Sequence, residues 1–327
     1  MALGQLNVIM AKVIEHIKNA KSTLFSLEIL PPSTGESIQK LFDNLSPLME
    51  FKPKFIDVTY HREEYVFKKM PNGLLEQKSI RKRPGTVSIC AALMHKFDID
   101  TVPHIICGGF TKEETEYALI DLNFLGIDNV LALRGDCIKG QKSFEATPGG
   151  HRYADELVGQ INQMNKGIYL SDELQNPTPT KFCIGVAGYP EKHFEAPNLK
   201  TDLKYLKQKI ENGADYIVTQ MFFDNKKFFE FVDRCRAEGI NVPIIPGLKP
   251  ITAKSQMTNL PRNFYIDMPE DLIDAVERCS SDDEVKNVGV EWAIQQAKEL
   301  VNHKVPCLHF YSMGKSTAIQ QIASKLF

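Results

Sequence analysis

No apolar run in this chain of 327 residues approaches the length of a bilayer span, and it contains no C-x-x-C pair, no G-x-G-x-x-G loop and no low-complexity tract. Each absence excludes something. A spanning helix needs about 20 predominantly apolar residues. A surplus of one charge is also missing: 39 Lys and Arg against 41 Asp and Glu leave a net charge of −2, without the basic footprint of a general nucleic-acid binder. The first residues carry Gln5, Asn7 and Glu15 among apolar ones and lack the basic start, unbroken apolar middle and small-residue cleavage site of a signal peptide, so a cytoplasmic protein is expected. The seven cysteines are odd in number and scattered, and Cys107, Cys183 and Cys307 sit in apolar runs. They read as reduced, buried thiols rather than a disulfide framework. No short-spaced Cys and His cluster offers a zinc site. Gly314-Lys315-Ser316-Thr317 resembles the end of a phosphate-binding loop, but that motif needs a glycine where His309 stands.

What the chain does have is eight short, β-rich apolar runs: 24–30, 55–60, 102–107, 129–134, 182–189, 216–223, 242–248 and 307–313. Most are nearly continuous rather than alternating, as suits strands buried on both faces. Helical periodicity separates them, in Ala118, Leu122 and Leu125, in Leu157, Ile161 and Met164, in Leu199, Leu203, Leu206 and Ile210, and in Val290, Ile294, Ala297 and Val301. Thr111 with Glu114 forms a capping-box pattern, and Gly126 and Gly213 stand where helix C-caps belong. Alternating strands and helices give a closed barrel or an open doubly wound sheet. An open dinucleotide-binding sheet would show its glycine-rich turn after the first strand. The first strand here ends in Glu28-Ile29-Leu30-Pro31-Pro32, which favours a (β/α)8 barrel, an α/β TIM barrel. A single domain over 1–327 is expected. Residues 1–20 form a leading helix with Val13, Ile14 and Ile17 on one face, and 62–84 form a basic, irregular surface excursion.

Working residues in such barrels cluster at the C-terminal ends of strands. Those ends supply Glu28, Thr59 with Tyr60, His104, Arg134-Gly135-Asp136, Tyr189-Pro190-Glu191 with His193, Gln220, and His309-Phe310-Tyr311. Glu28 lies among Leu27, Ile29 and Leu30, a setting that disfavours the charged carboxylate. It reads either as a general acid or as the partner of a cation on a neighbouring strand. Arg134 has the planar fork that grips phosphate oxygens, and Gly135 permits close approach of a ligand to the backbone. The alternative is an ordinary ion pair at a turn. His104 reads as a core histidine or a ligand-facing one. Gln220 is an amide in a buried run that needs partners, from a flavin or pterin edge or from an adjacent strand.

Taken in order, these segments resemble the methylenetetrahydrofolate reductase family. The resemblance is carried by Phe25 to Pro32, Lys52-Pro53-Lys54-Phe55 running to Val58-Thr59-Tyr60, Pro103-His104, Leu131 to Asp136, Tyr153-Ala154, Tyr189-Pro190-Glu191 with His193, Gly213-Ala214-Asp215, Thr219 to Asp224, Ile245-Pro246-Gly247 and His309-Phe310-Tyr311. It covers the catalytic barrel from about residue 20 onward. It implies non-covalent FAD, NADH or NADPH as co-substrate, and reduction of 5,10-methylenetetrahydrofolate to 5-methyltetrahydrofolate by ping-pong hydride transfer, feeding methionine synthesis. By position, Glu28 is the implied general acid, Asp136 tunes the flavin and helps bind folate, and Gln220 faces pterin and nicotinamide in turn. Gln256 and Lys315 match folate-contacting positions. Thr59, Tyr60, His104, Arg134, Gly135, Asp136, Ala154, Tyr189, His193, Ala196, Asp202 and Lys209 match flavin-binding ones, with Arg134, His193 and Lys209 suited by charge to the pyrophosphate. A homo-oligomer, dimer or tetramer, is implied, with no nucleic-acid or membrane partner.

Several positions depart from the family pattern. Leu260 replaces a Phe that stacks on NADH or folate in well-known bacterial members, and Gly314-Lys315 replaces an Asn-Arg pair. Lys315 offers a point charge where the family has a bidentate fork. Tyr205 and Gln208 replace flavin contacts. Two rival readings are a corrinoid-linked folate methyltransferase on the same barrel, which needs neither flavin nor an acid at the first strand, and a flavin subunit fed by a partner electron carrier.

Overall fold

The computed structural model describes residues 11–138, 143–312 and 316–327. Helix α1 (Val13–Asn19) leads into β1 (Leu24–Ile29), α2 (Ile38–Leu45), a 3-10 turn over Ser46–Phe51 and β2 (Phe55–Val58). A hairpin of β3 (Glu64–Lys69) and β4 (Leu75–Ile80) follows. The alternation then resumes with α3 (Thr86–Phe97), β5 (Asp100–Ile106), α4 (Lys112–Phe124), β6 (Asn129–Leu133), α5 (Ala154–Met164), β7 (Cys183–Gly188), α6 (Leu199–Glu211), β8 (Tyr216–Thr219) and α7 (Asn225–Ala237). It ends with β9 (Ile244–Ile245), β10 (Gly247–Leu248), α8 (Gln256–Phe264), α9 (Glu270–Glu277), α10 (Asp282–Asn302), β11 (Cys307–Tyr311) and α11 (Thr317–Ala323).

The long sheet is parallel at every pairing and runs β10-β11-β1-β2-β5-β6-β7-β8-β9. Its two ends are halves of one wall position. β9 pairs with β8 through Ile217 and Ile244, and β10 pairs with β11 through Gly247 and His309. Pro246 between them has no amide hydrogen to give, so it interrupts the ladder. The expected run 242–248 is therefore one barrel strand written as two short pieces, and the (β/α)8 barrel closes.

Residues of each strand alternate between two environments. Phe25, Leu27 and Ile29 of β1, Ile56 and Val58 of β2 and Ile105 of β5 face outward and pack with the helix faces in the main core. Leu24, Phe55, Val102, Leu131, Cys183, Tyr216, Ile245 and Cys307 point inward and form a separate cluster around the start of the barrel. Helix α1 closes that end: Val13 is fully buried there, and Ile14 and Ile17 pack beneath it. Asn129 fixes the plug by accepting from the Val13 amide at 2.9 Å and donating to the Ala11 carbonyl at 3.1 Å. Asp100 accepts from the Ala11 amide at 3.1 Å and pairs with His16.

Thr111 and Glu114 form the expected reciprocal cap on α4, at 3.2 and 2.8 Å. Gly126 and Gly213 take the left-handed conformation just after their helices, at φ +74° and +119°. The seven cysteines are free, and Cys90, Cys107, Cys183, Cys235 and Cys307 are buried. One expectation is corrected. Residues 62–84 are not irregular: β3 and β4 pair antiparallel over six residues each, from Glu64 opposite Ile80 to Lys69 opposite Leu75. The ribbon lies outside the barrel with Tyr65, Phe67 and Leu75 exposed. Its base is tied to the loop after β1, where the Thr34 amide donates to the Lys82 carbonyl at 2.7 Å and Arg83 donates to the Pro31 carbonyl.

Candidate active site at the barrel mouth

The inward positions change character along β1, β2, β5 and β11. In β1 they run Leu24, Ser26, Glu28, in β2 Phe55, Asp57, and in β11 Cys307, His309, Tyr311. In β5, Val102 is followed by His104. The period of two therefore carries each strand from an apolar floor to an ionisable mouth. Register then brings the upper residues together, because Glu28 sits opposite Asp57 on one side and Tyr311 on the other.

The result is a compact cluster. His104 Nε2 lies 3.4 Å from Glu28 Oε2 and 3.7 Å from Asp57 Oδ2, and His309 Nε2 lies 4.0 Å from Glu28 Oε2. Glu28 keeps 14% of its side chain exposed, whereas Asp57 and His309 keep none. Ser26 Oγ holds His309 from below at 2.9 Å from Nδ1. Among the described residues, both oxygens of Asp57 and the Nε2 atoms of His104 and His309 lack a well-formed hydrogen bond. Such buried polar atoms are uncommon, and each asks for an explanation. Burial works to push the His104 imidazole down, but Asp57 first and Glu28 second overcome it and raise it above its ordinary value. Lys249 is buried nearby. Desolvation lowers its ammonium to about 8, with Glu28 opposing the fall.

A second group lies beyond β6 and β7. Arg134 pairs with Glu195. His193 donates its backbone amide to Asp202 at 3.0 Å, and Lys209 Nζ donates to the Ala187 carbonyl at 3.0 Å. Burial, with help from Arg134, lowers His193 to about 4, so its ring is neutral near pH 7. Burial pushes the Lys209 ammonium down and Asp202 holds it up, while Tyr189 is pushed up chiefly by desolvation. Gly135, at φ +84°, is a bend an ordinary side chain resists, and an added Cβ would lie 3.3 Å from Ile106. Asp136 follows it, exposed, and acts electrostatically on His61 and Tyr189. Ala154 and Ala196 are buried, and Thr59 and Tyr60 extend the end of β2.

Other expected residues are more local. Gln220 Oε1 accepts from the Met221 amide at 2.9 Å, just above Thr219, which ties the neighbouring wall together. Thr219 Oγ1 accepts from the Gly247 amide at 3.0 Å, and its carbonyl accepts from Tyr311 at 2.6 Å. A Cβ at Gly247 would come within 2.3 Å of that carbonyl, so the close approach requires glycine. Gln256 Oε1 accepts from the Thr252 and Ala253 amides at 2.7 and 3.2 Å. Leu260 is buried with Met221, Phe223, Ile251 and Ile266 in a satellite core. Tyr205 is exposed on α6, and Lys315 lies outside the described residues. Asp57 and Lys249 were not anticipated. A charged residue at the centre of the apolar run 55–60 was the signal for Asp57. A lysine one residue past the run 242–248 was a weaker signal for Lys249.

A parallel (β/α)8 barrel with a carboxylate–histidine cluster and an arginine–glycine turn at its mouth defines the class, and the sequence defines the family. The family model described as methylenetetrahydrofolate reductase matches residues 12–327, and the chain belongs to that family. It is 33% identical over 304 residues to "Methylenetetrahydrofolate reductase 1" of Schizosaccharomyces pombe, covering 92% of this chain and 45% of that one. It is 30% identical over 292 residues to "5,10-methylenetetrahydrofolate reductase" of Escherichia coli, covering 89% and 86%. The chain thus spans about half the length of the fungal and plant relatives it matches and most of the bacterial one. Among solved structures, an uncharacterised Clostridium thermocellum protein that binds two copies of 5-methyl-5,6,7,8-tetrahydrofolic acid shares the fold, with a TM-score of 0.58 at 15% identity over 95% of this chain and 96% of that one.

Proposed function

We propose that the chain reduces 5,10-methylenetetrahydrofolate to 5-methyltetrahydrofolate with NADH or NADPH, through bound FAD, by a ping-pong mechanism that feeds methionine synthesis. The observation that carries this reading is Glu28: one partly exposed carboxyl at the mouth, held between two buried histidines on a strand end.

The residues present suit a flavin dinucleotide. Gly135 leaves the backbone bare where a Cβ would crowd Ile106, and Arg62 has a buried guanidinium nitrogen without a partner among the described residues. Arg134 and Lys209 would face the pyrophosphate, with His193 as a neutral hydrogen-bonding neighbour. Thr59, Tyr60, His104, Asp136, Ala154, Tyr189, Ala196 and Asp202 would complete the cradle. When bound, the flavin supplies hydride chemistry, taking hydride from the nicotinamide and giving it to the one-carbon unit. Glu28 would deliver a proton to the folate nitrogen whose bond to the bridging carbon breaks, and the bond's electron pair stays on that nitrogen. Asp136 and Gln220 would orient the pterin, and Gln256 and Lys315 the rest of the folate. The cytoplasm is the proposed location, and a dimer or tetramer the proposed assembly.

An anaerobic visible spectrum tests this. The yellow protein should bleach with NADH or NADPH and regain its colour with methylenetetrahydrofolate. A flavin deaf to both nucleotides yet reoxidised by folate after chemical reduction would transfer the donor role to a partner carrier. A protein that takes up no FAD would defeat the reading in favour of methyl transfer.

A further inference from the structure

We propose that Asp57 is a positioning residue for the acid: a fully buried carboxylate that claims the charge of the His104 imidazolium, leaving Glu28 free to carry its proton to the substrate. The inference rests on the reading of Glu28 as the proton donor and concerns what makes that role possible.

The geometry sets the problem. A single nitrogen, His104 Nε2, lies between two carboxylates, 3.4 Å from Glu28 and 3.7 Å from Asp57. Asp57 is sealed at 0% exposure on β2, with neither oxygen hydrogen-bonded among the described residues. An isolated buried carboxylate is costly unless a cation balances it. The charged and titratable groups around the cluster are few. Tyr216 of β8, Cys307 and Tyr311 of β11 and Cys90 of α3 act on Asp57, and burial pushes all four toward their neutral forms. Around Glu28 stand His309 and Tyr311 of β11, Lys249 after β10 and His61 after β2. Lys249 acts on Glu28, so among the described residues the cation within reach of Asp57 is the ring of His104. Once that ring is neutralised by Asp57, Glu28 is no longer forced into the ionised half of an imidazolium pair. Remove Asp57, and the His104 cation has only Glu28 to pair with. The cluster then binds its last proton less tightly, and the acid is lost at lower pH.

The test uses the flavin-loaded protein and separates its two half-reactions. In Asp57→Asn, the alkaline limb of the pH profile for reoxidation by methylenetetrahydrofolate should move down by about one unit, which is about tenfold in rate on that limb. Bleaching by the nicotinamide nucleotide should change by less than twofold. In Asp57→Asn/His104→Asn, the limb should move back toward its original place at a lower plateau, because the cation that captures Glu28 is gone. An unmoved limb in the single variant, or equal losses in both half-reactions, overturns the proposal. Should the variants fail to fold, nitrogen chemical shifts of labelled histidine in the unaltered protein decide: His104 with both ring nitrogens protonated at pH 7 supports it, and a neutral ring overturns it. Glu28→Gln separates this from the underlying reading. If that variant still reduces folate at the parental rate, Glu28 is not the acid, whatever Asp57 does.

Discussion

Two charged neighbourhoods share the barrel mouth, and they are built on opposite principles. Around Arg134 and Asp202 the ions answer one another: Arg134 meets Glu195, Asp202 receives the His193 amide, and Lys209 reaches a carbonyl. Around Glu28 the groups are close but poorly satisfied, and Asp57, His104 and His309 all keep bare polar atoms in the interior. A satisfied network holds its geometry and suits the gripping of an invariant ligand. An unsatisfied one has protons in play and suits chemistry. Under the proposed function, this difference puts flavin binding on the β6–β7 side and proton transfer on the β1–β2–β5–β11 side.

The comparison breaks most sharply at Glu28. Glu28→Gln should lower folate reduction by about 10²–10⁴-fold, the usual worth of a positioned acid, and leave flavin bleaching by nicotinamide nearly untouched. Stopped-flow measurement of each half-reaction checks it, and equal losses would end the division of labour. On the other side, Arg134→Met should weaken flavin uptake by about tenfold, the loss of roughly one charged hydrogen bond, with folate chemistry preserved once the site is saturated. Fluorescence titration reads this. Below both sites, Val13→Ala removes two methyl groups from the plug and should cost about 1.5 kcal/mol of stability. It should change neither half-reaction, as chemical denaturation alongside kinetics would establish.

The pH dependence of folding sharpens the contrast further. The folded state lowers His193 from 6.5 to about 4, so the unfolded chain binds the proton more tightly. The corresponding stability is complete above about pH 6.5 and disappears as pH falls toward 4. His193→Gln should flatten the acid side of a stability profile without moving the folate limb. The smallest effect belongs to Lys315. Lys315→Met should weaken folate binding a few-fold and leave NADH affinity alone, and isothermal titration with each ligand separates the two.

Much of this was legible in the sequence because continuous apolar runs announce strands buried on both faces, and barrel chemistry gathers at their ends. Glu28, Arg134 and Gln220 stand at such ends and could be picked out directly. Asp57 could not, because its run reads as apolar when the two faces are averaged. Only the alternation of Ile56 and Val58 outward against Phe55 and Asp57 inward reveals a carboxylate aimed at the axis. Lys249 was hidden for another reason: it lies one residue past the apolar run 242–248, where a lysine reads as the start of a solvated loop. The ribbon at 64–80 was missed because strand propensity there is diluted by lysines and glutamates, which a solvent-exposed hairpin tolerates and a buried strand does not.

The same proline gives the barrel a seam. Seven of the eight wall positions are continuous, but at Pro246 the ladder passes from β8 on one side to β11 on the other with one amide fewer to close it. Deuterium uptake at Gly247 and Leu248 should therefore outpace that at Ile217 and Val218. On the proposed function, opening at the seam would let the mouth change width for a nicotinamide and a folate in turn while the plugged floor stays shut.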